Sequence, residues 1–139
     1  MVYAFTQTSQ AVPANTPLNF NTTGDKKNCT ITHGAGSVEF NLNSPGHYIV
    51  HFNADAVENS AAGDVQVTLQ RNGVAVPGAV ATATSAIATD AVNIGFTCIV
   101  RVAPNCCANR QSVPTALTFV NTGVSANFTN AAVTIVRIP

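Results

Sequence analysis

Residues 46–54, GHYIVHFNA, decide the fold class because they carry apolar side chains on both faces of one strand. Successive side chains of an extended strand alternate between its two faces. One face would carry Tyr48, Val50, Phe52 and Ala54, a pattern typical of a buried core. The other face would carry His47, Ile49, His51 and Asn53. This second face is half apolar, which indicates a surface covered by something outside the strand.

The two histidines of this stretch do not form a metal pair in a strand. Residues four apart are separated by about 13 Å along a strand, whereas on a helix they share one turn. Copies of His47 or His51 stacked around a symmetry axis remain an alternative, either as a shared ion site or as a pH-sensitive contact. The interpretation we favour is that His47 and His51 lie in an interface or on the surface.

The composition indicates one charge-poor globular domain spanning residues 1–139. Hydrophobic residues make up 46% of the chain and charged residues only 9%, with six basic and six acidic side chains. Ordinary soluble domains carry about 25% charged residues. This balance argues against nucleic acid as a partner. No apolar run reaches the ~20 residues of a membrane helix, and no export signal is visible at the N-terminus.

Period-two alternation broken by turn residues runs along nearly the whole chain and predicts about ten antiparallel strands. The only stretch with helical character is 81–91, and its threonines argue against a helix. Asn72-Gly73 predicts a tight type I′ hairpin. The strands are predicted at 2–6, 17–20, 28–33, 37–42, 46–54, 64–70, 73–84, 91–103, 113–121 and 131–139.

The stretch 113–121, VPTALTFVN, repeats the two-faced pattern. Leu117 and Phe119 would face the core, while the other face carries Ala116, Thr118 and Val120. Two such strands in a small antiparallel protein suggest that one sheet packs on another subunit. We therefore predict a trimer interface made of His47, Ile49, His51, Ala116, Thr118 and Val120.

The order of motifs resembles the trimeric jelly-roll superfamily of tumour necrosis factor and complement globular-head domains. Within it, the nearest likeness is to phage versions and to the tips of bacterial spore-surface glycoproteins. The resemblance rests on Pro17–Phe20, the hairpin from Ile31 to Phe40, Gly46-x-Tyr48-x-Val50, Val65-x-Val67-x-Leu69-x-x-Asn72-Gly73, Ala126–Phe128 and Thr134–Ile138. It implies an antiparallel jelly-roll sandwich, a central Gly-x-Tyr strand and a threefold interface on the sheet that contains it.

Candidate chemistry is sparse. The loop after residue 54 gathers Asp55, Glu58 and Asp64, which would suit calcium, although a solvated loop is the reading we favour. The sequence has no catalytic elbow, phosphate loop or zinc-protease motif, so we predict neither an enzyme nor a cofactor.

The four cysteines are too irregularly spaced for a disulfide framework. Cys98 and Cys29 are predicted to be small buried hydrophobes. Cys106 and Cys107 fall in a predicted loop, where free thiols, an inter-subunit disulfide and, as the least favoured alternative, metal binding are all open.

These observations predict a non-enzymatic, homotrimeric virion protein. The expected roles are a phage head-decoration, head-fibre or spike module on the particle surface, assembled in the host cytoplasm. Its expected partners are other virion proteins or a host-surface glycan, contacted through loops at 55–64, 72–78 and 104–112. The alternative is a ligand-binding module on a bacterial cell or spore surface.

Overall fold

A computed structural model describes residues 1–59, 62–87, 89–104 and 114–139 as a two-layer β-sandwich. The described residues contain twelve strands. In chain order these are β1 (Val2–Thr6), β2 (Gln10–Val12), β3 (Thr16–Pro17), β4 (Thr22–Lys26), β5 (Ile31–Thr32), β6 (Glu39–Leu42), β7 (Gly46–Glu58), β8 (Asp64–Arg71), β9 (Val74–Thr84), β10 (Ala91–Val102), β11 (Thr115–Asn121) and β12 (Ala126–Ile138).

The strands form two antiparallel sheets of six. Sheet A has the order β10-β7-β12-β1-β4, with β2 also paired to β12. Sheet B has the order β5-β6-β11-β8-β9, with β3 also paired to β11. Many neighbours within a sheet are far apart in sequence, as in a jelly roll. The strand that carries Gly46-x-Tyr48 lies inside sheet A, between β10 and β12.

The core lies between the sheets and follows the predicted alternation of β7. Tyr48, Val50, Phe52 and Ala54 are fully buried. Each large apolar side chain removed from water contributes about 1.5–3 kcal/mol, so this face alone commits the strand to the interior. Phe119 of sheet B packs against Phe52 of sheet A with ring centroids 5.2 Å apart, which joins the two layers.

The Asn72-Gly73 turn joins β8 to β9 as predicted. Both residues have positive φ, 51° at Asn72 and 81° at Gly73, as a type I′ turn requires. The Asn72 side-chain oxygen also accepts a 2.8 Å hydrogen bond from the Ala116 backbone N–H. The turn is thereby tied to the neighbouring strand β11.

Several strand boundaries differ from the prediction. Strand β7 continues to Glu58, and its partner β12 begins at Ala126. The pairing of these two strands shifts register between Thr129 and Ala132, at a bulge that includes Asn130. Strands β2 and β4 were not predicted. Strand β2 has only three residues, and β4 (TTGDK) has almost no apolar side chains. In the stretch 81–91, residues up to Thr84 belong to β9, and β10 begins at Ala91. The described residues contain no helix able to cross a membrane.

Cys98 packs against the core as predicted, but it is half-buried rather than buried. The prediction for Cys29 was wrong. Its side chain is exposed because β5 begins only at Ile31, so Cys29 lies in the preceding turn rather than in a strand. Cys106 and Cys107 lie outside the described residues.

Candidate assembly surface

The outer face of sheet A carries an exposed row of aliphatic side chains. The strand register places Ile49 of β7 opposite Ile99 of β10 on one side and Val136 of β12 on the other. All three are exposed, and Ile99 has 62% of its surface accessible. Three β-branched side chains side by side on neighbouring strands form a contiguous apolar strip, which we call the aliphatic row. Contiguous apolar surface of this kind marks interaction sites.

The two predicted histidines flank the aliphatic row from either side along β7. His47 lies opposite Arg101 and Ile138, one level nearer the start of the strand. His51 lies opposite Thr97, and its Nδ1 is 2.8 Å from the Thr97 hydroxyl. Within one chain the two imidazoles are on separate levels with Ile49 between them, so they do not converge on an ion.

A polar cluster covers the other end of the same face. Asn93 donates to Asp55 Oδ1 at 2.8 Å, and Asn130 donates to Asp55 Oδ2 at 3.1 Å. These two bonds favour the carboxylate, so they hold the pKa of Asp55 below its ordinary value, with Asn93 the larger cause. Asn53 and Asn93 exchange side-chain hydrogen bonds at 3.2 and 3.4 Å. The outer face of sheet A therefore has an aliphatic half and an amide-rich half.

Aromatic side chains on β1 lie beside the middle of this face, with Tyr3 level with His51 and Phe5 level with Asn53. Tyr3 lies opposite Thr134 of β12, and the Tyr3 and Phe5 rings are 5.4 Å apart. On the next strand Gly24 faces both rings, and a Cβ there would lie 3.0 Å from each. The absence of a side chain at Gly24 gives the two rings their space.

The second set of predicted interface residues lies elsewhere. Ala116, Thr118 and Val120 are in β11 of sheet B, and they face away from the core on the opposite side of the sandwich. The six residues predicted for the trimer interface therefore lie on two faces of the sandwich, and their place in an interface stays a prediction. Alternation shows which residues of a strand share a face, but it does not show to which sheet the strand belongs.

Val120 also has a local partner surface. It pairs with Pro17 of β3 and with Thr68 of β8, and it is only 7% exposed within a single chain. Its apolar character is explained by the short strand β3 beside it. No second subunit is needed to cover Val120.

The three carboxylates of the candidate calcium loop do not meet. Asp55 belongs to the amide cluster, the buried Glu58 accepts a 3.1 Å bond from the Gly63 N–H, and Asp64 accepts a 2.7 Å bond from Thr84. Glu58 faces inward and Asp55 outward because β7 continues through both. Across the described part of the chain, no group of three His, Cys, Asp or Glu side chains is placed to hold a metal ion.

Sequence reasoning missed Ile99, Val136 and the amide cluster. The signal for Ile99 was present, because FTCIVRV (96–102) places aliphatic residues on both faces of β10 as GHYIVHF does on β7. The meeting of Ile99 with Ile49 depends on register, which the sequence pattern does not supply.

Comparison with solved structures decides the fold family. The globular domain of zebrafish complement 1qA protein matches with a TM-score of 0.72 and 10% identity, over 99% of this chain and 96% of that one. The Eiger TNF of S. frugiperda matches with a TM-score of 0.74 and 10% identity, over 99% and 91%.

The chain has the TNF/C1q-like jelly-roll fold. A third match, the vertex protein P5 of phage PRD1, has a TM-score of 0.58 and 13% identity, over 99% of this chain and 96% of that one. No protein-family model and no curated protein matches the sequence. TNF/C1q-like folds are generally non-enzymatic binding modules, and they typically form homotrimers.

Proposed function

We propose that this protein is a structural, non-enzymatic homotrimer exposed on the surface of a virus particle, as a phage head-decoration, head-fibre or spike module. The observation that carries the proposal is the aliphatic row of Ile49, Ile99 and Val136 on the outer face of sheet A. In a monomer, these three neighbouring β-branched side chains would be exposed to water. Assembly through this face buries them.

The remaining surface of the chain supports self-assembly over attachment to a charged partner. Only 9% of the residues are charged, and the formal net charge is zero. Copies of a neutral chain meet without electrostatic repulsion. In this assembly His47, Ile49 and His51 lie in the subunit interface together with Ile99 and Val136. Residues Ala116, Thr118 and Val120 stay outside it.

Two observations support the virion location. The likeness to the vertex protein P5 of phage PRD1 extends over nearly the whole of both chains. The low charge and the wealth of Asn and Thr also suit a surface that meets other subunits over much of its area. Assembly in the host cytoplasm and release by lysis would bring such a protein to the outside.

The oligomeric state tests the assembly. Light scattering of the purified chain should give about 43 kDa, three times the 14.3 kDa of one chain. Ile99→Asp should give a folded monomer, since it places charge in the aliphatic row. Ile87→Asp is the matched control, because Ile87 is 58% exposed in the turn at the other end of the sandwich. A trimer that survives Ile99→Asp, or a wild-type monomer at micromolar concentration, contradicts the proposed interface.

The location is tested on particles. Antibody against the purified chain, with gold detection in the electron microscope, should label phage particles in a lysate of the source culture. Label on intact bacterial envelopes or spores instead would overturn the virion role. That result would support the second candidate, a ligand-binding module of a bacterial cell or spore surface.

A further inference from the structure

Two arginines that have no counter-ion within the described part of the chain share a small cavity at one end of the sandwich. The cavity has a volume of about 120 Å³ and lies between the edge strands β9 and β10. Arg71 and Arg101 line it together with the apolar side chains of Val74, Val76, Pro77 and Ile99. It is thus a cationic recess with an apolar wall, outside the amide cluster and at the edge of the aliphatic row.

Arg71 is held across the gap between the two sheets. It follows Val65, Val67 and Leu69 on the inward face of β8, so its stem continues the core to the open end of the sandwich. There its Nη1 donates a 3.2 Å hydrogen bond to the backbone carbonyl of Arg101. This bond uses one of five guanidinium donors, and the planar fork keeps the others in a fixed relation to it.

No ion pair of Arg71 or Arg101 occurs within the described residues. Glu39 is two strands away from Arg71 in sheet B and faces the outer side of that sheet. Asp25 is on β4, four strands away from β10 in sheet A, or about 19 Å at 4.8 Å per strand. No carboxylate of the described strands next to the cavity neutralises the two guanidinium groups.

The charges of the described residues are also unevenly distributed along the sandwich. The carboxylates of Glu58, Asp64 and Asp90 lie at the end where β7 finishes and β10 begins. The opposite half carries two carboxylates, Asp25 and Glu39, and the five described basic side chains, which are Lys26, Lys27, Arg71, Arg101 and Arg137. The field of the whole chain therefore draws anions to the end that contains the cavity.

We propose that this cavity binds the carboxylate of an acidic sugar. A guanidinium matches a carboxylate because its parallel N–H groups can reach both carboxylate oxygens, and two arginines line this cavity. The volume suits one ring substituent and its neighbouring carbons rather than a run of peptide, and the Val76, Pro77 and Ile99 wall offers contact to the apolar face of a sugar ring. Both arginines and the wall belong to one chain, and Ile99 and Arg101 also border the proposed trimer interface.

Glucuronate and glucose form a matched pair of probes, because they differ only in the carboxylate. Glucuronate added to the ¹⁵N-labelled wild-type chain should shift the amide signals of residues 71–76 and 99–101, with a dissociation constant of about 1 mM. Glucose should shift none of them. Arg71→Gln and Arg101→Gln should each weaken glucuronate binding about tenfold or more.

Lys27→Gln is the control, because it removes one charge from the same end without touching the cavity. It should leave the affinity within about twofold. Equal loss in Lys27→Gln, equal binding of glucose, or no shifts at residues 71–76 and 99–101 would each overturn the site. Stronger binding of N-acetylglutamate amide than of glucuronate would overturn the sugar and assign the recess to acidic protein side chains. The variants' spectra and masses show separately whether the fold and the trimer persist.

Discussion

His33 stacks on Phe40 with ring centroids 4.2 Å apart and ring planes at 17°. Its Nε2–H donates to the Ser37 carbonyl at 3.1 Å, since a carbonyl only accepts, and its Nδ1 then accepts from the Thr23 hydroxyl at 3.0 Å. The imidazole is thus buried in its neutral form, with one donor and one acceptor satisfied. Burial is the main reason that the pKa of His33 is lowered. The hydrogen bond to Ser37 raises this pKa, and the charge of nearby Lys26 lowers it further.

We expect this histidine to make folding weaken in mild acid. In the unfolded chain its pKa is about 6.5, so as the pH falls the unfolded state takes up the proton first. The contribution of the neutral His33 to the free energy of unfolding is therefore fully present above about pH 6.5. It is lost as the pH falls from there through the lowered pKa of the folded state. Urea unfolding at pH 7.5, 6 and 5, at one protein concentration, measures how the free energy of unfolding changes with pH.

Substitution of His33 separates its titration from its packing. His33→Phe keeps a ring against Phe40 but removes the hydrogen bond to the Ser37 carbonyl, which retains the 3.3 Å bond from the Phe20 N–H. The loss should cost about 0.5–1.5 kcal/mol at pH 7.5. The dependence on pH between 7.5 and 5 should become shallower. Thr23→Val is the control, because it removes the hydroxyl and retains the titrating ring. An unchanged pH dependence in His33→Phe would contradict the assignment.

Phe119 is the residue through which the two sheets are predicted to depend on each other. Its ring packs against Phe20, Phe40, Phe52 and Phe96, with centroid distances of 5.7, 5.8, 5.2 and 6.1 Å. Phe119→Ala should lower the free energy of unfolding by about 3–5 kcal/mol, since it removes the ring and leaves a cavity. Phe5→Ala, on the outer face of sheet A, should cost clearly less. Chemical denaturation at pH 7.5 compares the two.

The hairpin turn offers a test of backbone strain with packing held constant. A Cβ at Gly73 would meet nothing within 4 Å, but the residue has a φ of +81°. Gly73→Ala should therefore destabilise the chain by about 1–2 kcal/mol through conformation alone. Gly34→Ala is matched to it, because a Cβ there reaches only Ser37 at 4.0 Å and φ is not positive. Equal thermal midpoints for the two variants would refute the strain.

The amide cluster should be visible in the titration of Asp55. Asn93→Ala removes the larger of the two causes that lower the pKa of Asp55, so that pKa should rise towards its ordinary value. Because the folded pKa is lowered, Asp55 stabilises the fold above about pH 4, and this contribution is lost as the pH falls through the folded pKa. A carboxyl-carbon NMR titration of wild type and variant reads it directly. Asn41→Ala, in sheet B, should leave the Asp55 titration unchanged.

Alternation in the sequence was sufficient for the sandwich and for most of its strands. The buried face of β7, the Asn72-Gly73 turn and the core position of Phe119 follow from side-chain period and turn chemistry, which act between near neighbours. The edge strand β4 was not predicted, because it buries almost no apolar surface and so its sequence has no apolar alternation. Cys29 was misplaced for a related reason, since nothing local shows where a short strand begins.

By itself the sequence determined that β7 and β11 each have two apolar faces, because that depends only on residue type and the period of two. It could not assign the strands to sheets, so His47, Ile49 and His51 were grouped with Ala116, Thr118 and Val120. Only the tertiary structure separated the sets, placed Ile99 and Val136 beside Ile49, and brought Arg71 to Arg101. These meetings join positions about 30 to 90 residues apart, and they depend on strand order and register, which the packing of the whole core selects.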